Sequence, residues 1–535
     1  MIYDKATNTV IYDVADPPTV LRAFPDARPI INGYVGIPAH LHNLQRLAAS
    51  SISVPGPLDL GYDWPRDLSL VPNPFHAQRV MANFLALHPR SINLSEMRTG
   101  KTLAALWAAD FVMRDFEAKG ERVRALIVAP LRTLRRTWGN AVFHHFLGRR
   151  TCVVLHGDAN KRDRLLADQD VDFYIINHDG LGVGAQVARK VTLTGMARSL
   201  FERSDIKIAI IDEASAYGDS TTRRSRIART LIQDRQYFWP LTGTPNAQGP
   251  LKAYGISKLL NNAFGESYTS YKQRVMMQVS QFKWVPRAGA AQEVVKLLQP
   301  AVRFRQDEVF DAPDCIISQE EAPLSIAQKK AYKKMKDELV LEQANGKRIT
   351  AVNEGVLRWK LIQIACGAVY DSDHEVHELD IKPRLEVMKE LIEEAPRKII
   401  IFAPLTSVLN LLHKELSKDY SCVLVNGEVP NKEADARVAQ FQEGREPRIL
   451  IAHPGPIARG LDFTAAATII WYAPTDKTED YIQANQRING PKQTHKRAII
   501  QISGSPIEQE IYKRLEANET LQGVVLKLVE NGAMG

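Results

Sequence analysis

The residues best suited to chemistry are a lysine and threonine behind a glycine, and two adjacent carboxylates further along. Ser95-Glu96-Met97-Arg98-Thr99-Gly100-Lys101-Thr102 follows an apolar start at Ile92 to Leu94 and opens a helical pattern over Leu103 to Arg114. Strand, loop, helix is the setting that a phosphate-binding loop requires. Backbone N–H groups at the helix start would cradle phosphate oxygens, Lys101 would bring a point charge to the β- and γ-phosphates, and Thr102 would hold Mg2+. The strict pattern also has Gly where Ser95 stands. The carboxylates, Asp212 and Glu213, end the apolar run Ile208 to Ile211. Acids at the C-terminal end of a buried strand lie where open α/β sheets place ligands. Asp212 would hold Mg2+ through water and Glu213 would polarise an attacking water. Alone, the pair would serve equally well as a helix N-cap; with a phosphate loop upstream, the catalytic reading is preferred.

The elements that must position these groups are legible as a rhythm. Short apolar runs at Ala125 to Ala129, Cys152 to Leu155, Phe173 to Asn177, Ile206 to Ile211 and Tyr237 to Leu241 alternate with helical segments. Continuous apolar runs of this kind mark a parallel sheet buried on both faces. The rhythm resumes at Lys398 to Phe402, Cys422 to Val425, Arg448 to Ala452, Thr468 to Tyr472 and Ala498 to Ile502, before a helix over Pro506 to Glu530. Residues 251–380 read as helical, rich in Lys, Gln and Glu, without such strands. The first seventy residues carry strand-like runs at Thr9 to Tyr12 and Tyr34 to Ile37 and a helical run at His40 to Ala49. The Pro-rich stretch Val54 to Pro74 reads as a linker. The expected organisation is α/β: a small N-terminal domain (1–70), a first parallel-sheet domain (71–250), a helical insertion (251–380), a second parallel-sheet domain (381–504) and a C-terminal helix (505–535).

Bulk properties bound the function. At 535 residues the chain has room for several cores, and 45% apolar with 24% charged residues is a globular balance. A net charge of +8 permits a nucleic-acid partner without establishing one. Cys152, Cys315, Cys366 and Cys422 are far apart in sequence, which suggests neither a zinc site nor a disulfide framework and fits a reducing interior. His76, His144, His145 and His156 lack metal-ligand spacing. No apolar run approaches the ~20 residues of a membrane span, and the first residues are too polar for a signal peptide. The expected setting is the cytoplasm, that of a bacterial host if the protein is viral, with no membrane partner.

Read together, these motifs resemble those of superfamily two (DEAD/DEAH-box type) helicases, above all the Swi/Snf-type branch of double-strand DNA translocases, built on two RecA-like domains. The Glu-Met-x-x-Gly-Lys-Thr form of the loop is characteristic of that branch. Leu126-Ile127-Val128-Ala129-Pro130-Leu131 with Trp138 resembles motif Ia, and Leu241-Thr242-Gly243-Thr244-Pro245 motif III. Pro74-Phe75-His76-Ala77-Gln78 resembles the adenine-reading segment, placing Gln78 on the base edge. In the second half, Lys398 to Pro404 resembles motif IV, Ala458-Arg459-Gly460-Leu461-Asp462 motif V, and Gln483-Ala484-Asn485-Gln486-Arg487 the start of motif VI. The likeness covers about residues 74–525 and includes the closing Ser505-Pro506-Ile507-Glu508. Three positions depart from the family: Ser215 replaces the usual His of motif II, Arg98 a loop Gly, and Gly490 the second arginine of motif VI.

The resemblance implies ATP with Mg2+ as cofactors, nucleotide contacts from Gly460 and Asp462, and catalytic roles for Lys101, Glu213, Gln483 and Arg487. It implies that DNA is held at its phosphates, with little sequence preference, by Pro130, Arg132, Thr133, Thr244 and Thr464. Arg135 with Arg136, Arg223 with Arg224, and the lysines around Lys329 to Lys336 read as solvated helix faces. The compact size resembles the tailed-bacteriophage and annealing-helicase members, which implies a role in phage-type DNA replication, recombination or repair. In those relatives small N-terminal modules help recognise branched DNA. Protein partners are not legible. Two alternatives stand beside this reading. One is a strand-separating helicase on forks or RNA. The other is a nucleotide-dependent DNA-binding scaffold that hydrolyses poorly, motivated by Gly490.

Overall fold

The computed structural model describes residues 1–31, 33–65, 74–168, 170–245, 249–280, 284–311, 313–344, 351–370, 375–457, 463–490 and 493–518. The chain forms two compact units that divide between Val309 and Phe310.

The first unit is built on a seven-stranded, all-parallel sheet in the order Ala301–Val302, Ile92–Asn93, Tyr237–Leu241, Ile206–Asp212, Arg124–Ala129, Phe173–Asn177, Cys152–Val154. Every residue of Arg124–Ala129 is buried, because the strand feeds a core on each face. Leu126 and Val128 enter one hydrophobic cluster, and Ala125, Ile127 and Ala129 the other. Ile206, Ala209 and Ile211 likewise part from Ile208 and Ile210. This two-sided burial is why the strands read as continuous apolar runs rather than as alternation.

The N-terminal residues form a four-stranded antiparallel sheet in the order Ile2–Asp4, Thr9–Asp13, Tyr34–Pro38, Arg28–Pro29. The helix Leu41–Ala49 docks this module on the first unit, with Gln45 Nε2 donating to the Ala86 carbonyl (2.8 Å) and to Tyr237 Oη (3.1 Å). The described part of the supposed linker is core. Leu58 is fully buried and Tyr62 nearly so. The Tyr62 hydroxyl donates to buried Asp110 at 2.6 Å on the helix that leaves the phosphate loop. Prolines set the backbone path there, but the apolar residues between them anchor it.

The second unit carries a six-stranded, all-parallel sheet in the order Cys315–Glu321, Arg497–Ser503, Ala466–Trp471, Lys398–Phe402, Ile449–Ala452, Cys422–Val425. Both sheets match the RecA-like expectation. One buried ion pair ties its parts together. Arg384, in the helix Lys382–Glu394, meets Glu508 at 2.7 Å with both side chains almost wholly buried. Arg384 also donates to the carbonyls of Tyr472 and Ile502 at two strand ends. Glu508 accepts from Gly504 N (2.9 Å) and Ser505 Oγ (2.8 Å) as the closing helix, described over 506–518, begins.

The expectation that residues 251–380 lack strands is corrected. Ala301–Val302 joins the first sheet and Cys315–Glu321 the second, and hairpins form at Met276–Gln278 with Trp284–Pro286 and at Ala368–Tyr370 with Val376–Glu378. Cys315–Glu321 is an edge strand whose side chains are mostly exposed, so it carries no apolar run to be seen. Among the described residues no helix is long and apolar enough to cross a membrane.

Candidate active site

The strand Ile92–Asn93 delivers the chain to the phosphate loop. Ser95 N–H donates to Asn93 Oδ1 (3.0 Å) and Thr99 Oγ1 to the Glu96 carbonyl (2.8 Å), closing the loop on itself. Lys101 Nζ donates to the carbonyls of Ser95 (2.6 Å) and Glu96 (2.7 Å), so the ammonium is held at the loop mouth. Gly100 stands in the left-handed region (φ 86°) as the N-cap of the helix Lys101–Glu117, and among the described residues no side chain caps that helix's N-terminus. The uncapped N–H groups with the helix dipole favour an anion. Met97 and Arg98 form the turn between, and Thr102 lies half-buried in the first helical turn. Arg98 adopts φ 65° despite its side chain. The left-handed backbone of a family glycine is therefore kept without the glycine, at a cost of roughly 1–2 kcal/mol.

A second segment, which sequence reasoning missed, backs the loop. Ser95 Oγ accepts from Phe304 N (2.9 Å), and Glu96 N donates to the Phe304 carbonyl (2.9 Å). The Glu96 carboxylate receives Arg303 Nη2 (2.9 Å) and Gln306 N (3.1 Å), while Gln306 Nε2 donates to the Met97 carbonyl (2.6 Å). Glu96, expected among the nucleotide contacts, thus turns its carboxylate to the segment behind the loop. Nothing in the sequence links residues two hundred positions apart; only the edge strand Ala301–Val302, pairing with Ile92–Asn93, brings them together.

Gln78 is buried on the helix His76–Leu87, accepts from Phe75 N (2.9 Å), and lies so close to Gly100 that a Cβ there would stand 2.2 Å from Gln78 Nε2. The expected base reader is therefore beside the loop. Strand register sets the acids on the same edge of the sheet: Asn93 pairs with Leu241, and Leu241 with Asp212. Asp212 Oδ1 accepts from Glu213 N (3.1 Å) and Oδ2 from Trp138 Nε1 (3.0 Å). Burial pushes the Asp212 carboxyl up, the neighbouring Glu213 adds to the rise, and the Trp138 bond and the Lys101 charge oppose it. Glu213 itself is left-handed (φ 51°, ψ 53°) before the turn Ala214–Tyr217, a conformation worth of order 1–3 kcal/mol of strain and concentrated in proteins at functional sites. Motif III completes the edge, since a Cβ at Gly243 would meet the Ser95 carbonyl at 3.4 Å.

The candidate phosphate contacts are placed unevenly. Thr133 is buried with its hydroxyl donating inward to the Pro130 carbonyl (2.9 Å), and Pro130 is itself buried. Thr244 is buried too, and among the described residues its hydroxyl has no hydrogen-bond partner. Arg132 reaches the surface in part. In the second unit Thr464 is half-buried and its hydroxyl accepts from Gln442 Nε2 (3.3 Å). Gln483 lies in the helix Thr478–Asn485 with Nε2 on Glu479 Oε1 (3.0 Å), and Arg487 is buried in the following turn Gln486–Ile488. Asn489 is extended, so Gly490 leaves the helix and shares no helical face with Arg487. Gly460 and Asp462 lie outside the described residues.

The donor set suits Mg2+ accompanied by a nucleotide. Among the described residues no three His, Cys, Asp or Glu side chains cluster to hold a metal. A cation at Thr102 and Asp212 would rely on phosphate and water for its other ligands, as Mg2+ does in nucleotide sites.

Comparison with known proteins bears on the same residues. A profile of the SNF2-related domain matches residues 79–365, more than half of the chain, and one of the helicase conserved C-terminal domain matches 383–489. Protein p41 of Acyrthosiphon pisum secondary endosymbiont phage 1 is 22% identical over 86% of this chain and 99% of its own length. The SWI/SNF-related matrix-associated actin-dependent regulator of chromatin subfamily A-like protein 1 of Xenopus laevis is 22% identical over 80% of this chain. The DNA annealing helicase and endonuclease ZRANB3 of Mus musculus is 24% identical over 50% of it. The chain spans 41% and 25% of these two larger relatives. Among solved structures, the Sulfolobus solfataricus SWI2/SNF2 ATPase core in complex with dsDNA aligns over 88% of this chain and 97% of its own, at 19% identity and a TM-score of 0.40.

Proposed function

Because this chain belongs to the SNF2-related family of superfamily two helicases and translocases, we propose that its ATPase is stimulated by DNA and drives movement along duplex or branched DNA. The observation that carries this reading is the meeting of Lys101, Asp212, Glu213 and Gly243 at one edge of the first sheet. Mg2+–ATP, when bound, supplies the phosphoryl group and the divalent charge that clamps it. Lys101 offers its ammonium to the phosphates, Thr102 and Asp212 hold the cation, and Glu213 orients the attacking water and takes its proton. Gln483 and Arg487 serve motif VI, the arginine stabilising charge on the transferred group. Arg132 and Thr464 contact DNA phosphates, which position a strand without reading it. The DNA annealing helicase among the relatives supports DNA as the partner, and the phage protein matched along 99% of its length supports a role in phage-type replication, recombination or repair.

The test is ATP turnover with and without duplex DNA, alongside triplex displacement and fork unwinding. DNA-stimulated turnover with triplex displacement is expected. Turnover that stays negligible with and without DNA would replace this reading with the scaffold, and unwinding without triplex displacement would replace it with the strand-separating helicase. Lys101→Ala should abolish turnover, and Glu213→Gln should bind ATP without turning it over.

A further inference from the structure

Resting on the reading of Asp212 as the magnesium carboxylate, we propose that Trp138 is a positioning residue which fixes that carboxylate for the cation through its indole N–H.

The Asp212 carboxyl is only partly exposed at the end of its strand, and a carboxylate largely withdrawn from water needs donors. The structure gives it one on each oxygen: Glu213 N on Oδ1 and Trp138 Nε1 on Oδ2. The chemistry of the second donor matters. An indole carries one N–H, accepts nothing and does not ionise. It can therefore hold an oxygen in place without neutralising the charge. Lysine or arginine in the same position would compete with the cation, and a side-chain amide could turn and present its oxygen.

The route by which Trp138 arrives is also unusual. It lies fully buried in Leu134–Gly139, a turn of π-helix in which Asn140 N–H reaches back to the Arg135 carbonyl. One residue more per turn than an α-helix rotates the next helical residues by about 100° around the axis. Such insertions are rare and occur often at functional sites. Leu134, which opens the turn, and Val142, beyond it, explain its anchoring, since both sit in the same hydrophobic cluster as Trp138. The ring is thus held by packing, leaving its N–H a fixed direction. Partners behind a metal ligand typically alter metal affinity by 10–100-fold when lost.

The test is the Mg2+ concentration needed for half-maximal binding of a fluorescent, non-hydrolysable ATP analogue, beside binding of the same analogue in EDTA. Trp138→Phe should raise the Mg2+ requirement about tenfold and leave binding in EDTA unchanged; a variant that merely disturbed the fold would weaken both. If Trp138→Phe does not fold, replacement by benzothienylalanine keeps the ring shape and deletes only the donor. An unchanged Mg2+ requirement in either folded variant overturns the proposal. Asp212→Asn separates the two levels: it should raise the Mg2+ requirement more than Trp138→Phe does. If it has no effect, the reading of Asp212 fails, and the role of Trp138 with it; if it has its effect and the tryptophan variants do not, only the proposal for Trp138 fails.

Discussion

Arg98 holds a left-handed backbone that its side chain opposes, in a loop whose shape decides whether phosphate can be held. Substitution should therefore sort by backbone compatibility rather than by charge. Arg98→Gly is expected to keep nucleotide binding and to leave the first unit as stable or up to about 1 kcal/mol more stable, read by urea unfolding. Arg98→Val, β-branched and more resistant to positive φ, should weaken analogue binding several-fold. At motif VI, Arg487→Ala should lower turnover by about 10³ or more, the effect of losing an arginine finger. Adding Gly490→Arg to that variant should restore nothing in a steady-state assay, because residue 490 follows an extended residue and is buried. At this scale much of the site was legible. Lys101, Asp212 and Glu213 carry type and spacing that local sequence displays. Trp138 was read only as part of motif Ia, with no role assigned, and Arg303 and Gln306 were not found, since a partner two hundred residues away leaves no local mark.

Elements buried on both faces were read closely: Lys398–Phe402 and Tyr237–Leu241 fall where the apolar runs placed them. The edge strand Cys315–Glu321 was not, because exposed residues such as Ile316 and Ile317, in a run ending Gln319-Glu320-Glu321, give no periodic signal. The Arg384–Glu508 pair belongs to this scale, since it joins a helix, two strand ends and the closing helix. Arg384→Met should destabilise the second unit by about 3–5 kcal/mol, as an unpaired buried carboxylate is left behind. Arg384→Met with Glu508→Leu should recover most of that loss. Urea titrations of the single and double variants measure both; additive losses would mean the two side chains act separately.

For the whole molecule, DNA affinity is expected to fall steeply with salt and to vary little with sequence, with a log–log slope of about 0.9 per phosphate contacted. Filter binding at several salt concentrations on unrelated duplexes checks it. The N-terminal residues take part in the first unit's core, so deleting residues 1–70 should lower its unfolding midpoint as well as alter preference among forked and duplex DNA. Loss of Leu58 from the core and of the Tyr62 bond to Asp110 is the reason. The sequence hid this because proline density there resembles a linker while two apolar residues do the anchoring. The second sheet has a consequence for how the protein is made. Among the described residues its edge strand Cys315–Glu321 pairs only with Arg497–Ser503, and Gln319 meets Gln501 across 182 residues of chain. At roughly 5–20 residues per second on a ribosome, that strand waits on the order of 10–40 s with its pairing edge open, and Arg384 waits for Glu508 about two-thirds as long, across 124 residues. The first unit's wait is no shorter, since Ile92–Asn93 pairs with Ala301–Val302 and Ser95 meets Phe304 across 209 residues. Each sheet is therefore completed only when a strand made late reaches one made early, and a slow codon before either late strand would lengthen the time its partner stands open.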